Sequence, residues 1–106
     1  MIFHVVSRES WEKAARQGFY EAPSLSTEGF IHCSRKEQVQ GVLERYYQDQ
    51  KDLVLLHIDE DKLTATLIYE LAPSVNETFP HIYGPLNADA VIKIENIINL
   101  TDDHLG

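Results

Sequence analysis

The stretch LVLLHID, Leu53 to Asp59, limits most what this chain can fold into. It is strongly apolar, only a few residues long, and flanked by charge. A bilayer-spanning helix takes about 20 apolar residues, so this run is far too short to cross. Apolar side chains at successive positions ask for cover on both faces of an extended strand. We read it as a buried strand. A second run, IFHVVS from Ile2 to Ser7, repeats the pattern, with Ile2, His4 and Val6 pointing one way and Phe3 and Val5 the other. This strand is expected to be central in its sheet. A chain of 106 residues suffices for one domain with one core, expected over residues 1–100 with a polar tail at 101–106.

The other elements follow from local signals. Ser7 caps a helix through SWEKAARQ, with Trp11, Ala14 and Ala15 inward and Gly18 as the stop. FYEAPSLSTE is loop with a turn of 3₁₀ at most. GFIHCS, Gly29 to Ser34, reads as a strand, and Ser34 with Glu37 forms a capping box for a helix carrying Val39, Val42, Leu43, Tyr46 and Tyr47 on one stripe. Gly41 inside that helix suggests close approach of another element. Thr64 to Leu71 alternates as a strand with Leu67, Tyr69 and Leu71 on one face. FPHIYGPL, Phe79 to Leu86, has prolines at both ends of a short core and reads as rigid irregular chain or a short edge strand. The last strand is Val91 to Leu100, with Ile92, Ile94, Ile98 and Leu100 on one face. Two helices early and strands late give an α+β fold.

Charge and cysteine content narrow the function classes. The formal net charge of -8 counts against a nucleic-acid backbone or an anionic membrane as partner. Cys33 is the only cysteine, so no disulfide forms within the chain, and a lone thiol suits a reducing compartment. The N-terminus MIFHVVSRES lacks the pattern of a secretory signal, so the expectation is a cytoplasmic protein in which the sequon at Asn76 is idle.

Three histidines, His4, His32 and His81, sit inside apolar stretches, whereas His57 and His104 do not suggest a role. A buried imidazole without partners loses about 1–3 kcal/mol, so each needs a hydrogen bond, and three can share one pocket. A metal is not expected: no ligand spacing is present, and adjacent His32 and Cys33 point to opposite faces of a strand. Cys33 is then core filling. Ser34, Arg35 and Lys36 open a helix, which makes an anion seat or simply a cap with two solvated bases. Glu70 ends a strand and is either a solvated carboxylate or the acid or base of a pocket. Tyr83, two residues after His81, shares its side if the chain is extended. Trp11, Phe30, Tyr46 and Tyr47 read as core. The resulting candidate is a pocket of His4, His32, Ser34, Glu70, His81 and Tyr83 for a nucleotide-like or other anionic small molecule, with Ser34 capping the bordering helix and Cys33 packed behind.

These pieces together resemble a bacterial family of small proteins, domain of unknown function 952. The likeness rests on the histidine of IFHVV, the tryptophan of SWEKA, PSL at Pro23 to Leu25, GFIHCS followed by EQV, LVLLHID, the pair Tyr69–Glu70, and FPHIYGPL. It covers nearly the whole chain up to Leu100. The resemblance implies an ADP-ribosyltransferase-like fold of small antiparallel split sheets around a cleft for NAD. It casts His4 as the first-strand histidine touching the nicotinamide-side ribose, and Glu70 and His81 as catalytic. His32, Ser34 and Tyr83 complete the cofactor-binding set. The implied reaction is dissociative loss of nicotinamide, with Glu70 stabilising the ribosyl cation and His32 or His81 as base. A related reading, NAD-dependent removal of phosphate from RNA, meets the opposing charge of -8. A third is a non-catalytic binding or accessory module with structural histidines. The expected partner is a small molecule, with the chain a monomer or weak homodimer.

Overall fold

The computed structural model describes residues 1–97. Ile98, Leu100 and the tail at 101–106, all named above, lie outside the described residues. In chain order the elements are β1 (Ile2–Ser7), α1 (Arg8–Gln17), β2 (Phe19–Tyr20), α2 (Pro23–Thr27), β3 (Ile31–His32), α3 (Val39–Tyr46), β4 (Leu53–Ile58), β5 (Thr66–Ala72), β6 (Glu77–Tyr83), β7 (Leu86–Asn87) and β8 (Val91–Asn96). All strand pairs are antiparallel, in sheets ordered β1-β4-β8, β2-β7 and β3-β6-β5. The α+β class is as the sequence suggests. The segment PSLST is a third, one-turn helix rather than a loop, with Pro23 opening it where a missing N–H costs nothing.

The two apolar runs pair with each other over six residues, Ile2 opposite Ile58 through Ser7 opposite Leu53. The central strand is β4, not β1. The free side of β1 is nevertheless engaged at one point: Phe3 and Ser34 exchange backbone hydrogen bonds of 2.8 and 2.7 Å. This occupies part of the free edge of β1, while its two faces are buried by separate packing. Ile2 and Val6 pack with Val54, Leu56 and Ile58 in the main core, while Val5, Leu53 and Leu43 of α3 form a second cluster on the opposite face. Strand β8 is the outer edge. Its register shifts against His57 and Ile58, leaving Ile92 unopposed, and Ile92 and Ile94 stand exposed rather than lining an apolar face.

Helix α1 starts where expected, with the Ser7 side chain accepting from the Ser10 N–H at 3.1 Å and Gly18 closing it at φ 94°. Trp11 and Ala14 are buried; Ala15 is exposed. Before α3, the cap lies one residue later than Ser34–Glu37: the Arg35 N–H donates to Gln38 Oε1 at 2.9 Å. Buried Gln38 also donates to Glu77 Oε1 at 3.0 Å and to the Thr78 carbonyl at 2.9 Å, tying the helix start to β6. Gly41 faces the guanidinium of Arg45 in its own helix rather than another element.

The largest correction concerns FPHIYGPL. Most of it is β6, the central strand of β3-β6-β5. A central proline is tolerated because β3 is only two residues long. The Pro80 carbonyl accepts from Cys33 N–H at 3.0 Å, just past the end of β3, so the missing N–H falls where that ladder stops. Gly84 follows β6 because a Cβ there would stand 2.8 Å from Ala65 Cβ. In this sheet Ile31, Ile82 and Leu67 face the main core, while Tyr69 and Leu71, farther along the outer strand β5, are exposed.

Candidate functional site

The period of a strand builds the site. His81 and Tyr83, two apart on β6, share the outward face of their sheet. His32 of β3 lies directly opposite His81. Glu70 of β5 lies opposite Phe79, one diagonal step from His81. The Glu70 Oε1 therefore accepts from His81 Nδ1 at 2.7 Å and also from the Tyr83 hydroxyl. Those hydrogen bonds, Tyr83's first and His81's next, hold the Glu70 carboxyl below its ordinary range, and the same bond raises the Tyr83 hydroxyl.

Phe30, assigned to the core above, instead stacks on His81 with ring centroids 4.0 Å apart and planes 13° from parallel. It meets His32 edge-on at 4.8 Å, and the His32 and His81 rings lie 5.2 Å apart. His32 Nε2 sits 3.1 Å from Glu28 Oε2. A carboxylate only accepts, so His81 Nδ1 carries a proton in that bond. Among the described residues no hydrogen bond reaches His81 Nε2. In the neutral ring this nitrogen is the one with a lone pair, the arrangement that makes a histidine a base.

His4 is a different case. Its Nδ1 lies 2.6 Å from the His32 carbonyl, which fixes the proton on Nδ1. Its Nε2 faces the Tyr20 hydroxyl at 3.5 Å. Burial lowers its pKa to about 4 and, with the nearby Tyr47 and Cys33, raises Tyr20 to about 12, so both are neutral at ordinary pH. Cys33 is buried and desolvation pushes its thiol up, but it borders the same cleft as His32 rather than packing behind it.

A cleft of about 510 Å³ opens between β1, α3 and the sheet β3-β6-β5. His4, His32, Ser34 and His81 border it, so four of the six sequence candidates meet there. Glu70 and Tyr83 do not border it; they stand beside His81 on the strand face. Val42 and Tyr46 of α3, Tyr47 just after it and Phe79 of β6 give the apolar wall. The expected anion seat is not part of it. Arg35 leans on Thr78 Oγ1 at 3.4 Å and pairs with Glu37 at 3.2 Å, and neither Arg35 nor Lys36 borders the cleft. Glu28, Phe30 and Phe79 were missed from the sequence. Glu28 had a signal, since one turn from His32 in number is a common pairing distance, but GFIHCS alone does not fold the chain back on itself.

Fold and site together define a small α+β protein whose antiparallel sheets flank a histidine-bordered cleft. The chain belongs to the family described as Protein of unknown function (DUF952), whose model matches residues 5–94. It is similar to the crystal structure of protein CC0527 from Caulobacter crescentus, at 31% identity and a TM-score of 0.83, covering 98% of this chain and 96% of that one. The solution structure of CC0527 matches at 30% identity and a TM-score of 0.79, covering 99% and 96%. Comparison with curated proteins gave no match. No helix among the described residues is long and apolar enough to cross a membrane.

Proposed function

We propose that the cleft binds a nucleotide-like small molecule through its ring, and that His81 handles a proton there. The observation that carries this reading is one geometry: a cleft-bordering imidazole whose Nδ1–H is held by Glu70 at 2.7 Å while Nε2 lacks a partner among the described residues. The volume lies within the ordinary range for small-molecule sites, about 300–1,000 Å³. The ADP-ribosyltransferase-like reading fits as the reaction class. The bond between ribose and nicotinamide breaks, the electron pair leaves with nicotinamide, and His81 Nε2 takes the proton of an attacking acceptor. Glu70 is then a positioning residue, since its Oε1 already accepts two hydrogen bonds and it does not border the cleft. His4, with both nitrogens engaged inside, supports the wall through the His32 carbonyl rather than reaching for a ribose. In this reading the partner is a small molecule in the cytoplasm, with neither nucleic acid nor membrane involved.

The test is an NMR titration with NAD, ADP-ribose and nicotinamide, in the wild type and in His81→Ala. Saturable shifts at Ser34 and His81, weakened in the variant, are expected. Silence at millimolar ligand leaves binding weaker than about -4 kcal/mol and removes the reading. A non-catalytic module is favoured by one observation, the fully internal bonding of His4. It predicts binding without release of nicotinamide on long incubation.

A further inference from the structure

The lining of the cleft is electrically one-sided. Among the described residues no Lys or Arg borders it, and Glu28 is its one carboxylate. Each histidine on the strand face brings its own counter-charge, His32 with Glu28 and His81 with Glu70. Two imidazoles against two carboxylates sum to zero when both rings are protonated and to a negative value otherwise. These carboxylates belong to a chain whose net charge is -8. A phosphate or carboxylate entering here finds no Lys or Arg, and each strand-face histidine is already matched by a carboxylate. The aromatic residues Tyr47 and Phe79 border the cleft, and the face of such a ring attracts positive charge. The neighbouring Tyr46 ring already has the Arg45 guanidinium 5.7 Å from its centroid.

We propose that the cleft selects a planar monocation, such as an N-alkylpyridinium ring, over neutral and anionic rings of the same shape. This rests on the reading that the cleft holds a ring-shaped small molecule. In NAD it would choose the pyridinium end and leave the pyrophosphate outside.

Three probes of nearly equal shape test it: the N-methylnicotinamide cation, neutral nicotinamide, and the nicotinate anion. Affinities are read by NMR titration of the whole chain at one pH. The cation is expected to bind about tenfold more tightly than nicotinamide, with nicotinate weakest. Glu28→Gln should close most of that gap. Phe79→Leu keeps the apolar volume and should weaken the cation more than nicotinamide. Equal affinity for all three, or preference for nicotinate, overturns the charge selection while leaving a ring-binding cleft. Binding of the cation with none of NAD supports the selection and removes the NAD reading. No binding of any probe at millimolar concentration overturns both.

Discussion

His4 and His81 sit on different sheets of one small protein, and both border one cleft, yet their surroundings give them different chemistry. His4 lies in β1-β4-β8, where β1 is covered on both faces, and each of its nitrogens faces a protein oxygen. His81 lies in β3-β6-β5, which buries only one face, and its ring is held on one side by Glu70 and Phe30. Complete satisfaction makes a histidine part of the scaffold. Partial satisfaction beside a cleft leaves a nitrogen available. The lesson is that the number of free ring nitrogens, rather than the presence of histidine, marks the candidate chemistry.

The contrast can be broken most strongly through stability. Leu56→Ala in β4, at a fully buried position, should cost about 2–5 kcal/mol in urea unfolding. Leu71→Ala on β5, at an exposed position, should stay within about 0.5 kcal/mol. Similar losses at both would mean that the second sheet is as covered as the first.

Acid separates the histidines next. His4 titrates at about 4 in the folded chain, below the ordinary 6.5, so the unfolded state binds the extra proton. Stability from this group is full above about pH 6.5, falls as pH drops towards 4, and is lost by at most about 3 kcal/mol. The slope of unfolding free energy between pH 7 and 4 measures it. His4→Phe should flatten that slope, and an unchanged slope would remove His4 as its source.

The smallest effect sharpens the other half. Glu70→Gln removes the charge that holds up the Tyr83 hydroxyl, so tyrosinate absorbance from Tyr83 should appear at lower pH than in the wild type. The His81 ring should also lose its fixed Nδ1–H state in ¹⁵N spectra. An unchanged Tyr83 titration would mean that the Glu70 contact does not persist in solution.

The parts readable in the sequence were those set by neighbouring residues. LVLLHID and IFHVVS announce strands because their apolar positions are consecutive, and Ser7 and Gly18 bracket α1 by local chemistry. Register is a property of two distant segments, and there the reading failed. Pro80 looked disqualifying for a central strand because nothing local shows that β3 ends after two residues. Phe30 looked like core because only the pairing of His32 with His81 places it over an imidazole. Gln38 escaped notice since its three partners are scattered from Arg35 to Thr78. The His81–Tyr83 alternation was legible, and Glu70 was named without the contact that gives it meaning.

The exchange between Phe3 and Ser34 has a mechanical meaning. Within its own sheet β1 pairs with β4 over six residues, whereas this contact joins β1 to the chain leaving β3 through two hydrogen bonds. It lies two residues beyond the carbonyl that grips His4. With the His4 bond to the His32 carbonyl and the Gln38 bonds to β6, it makes a short row of rivets between walls that are nowhere welded.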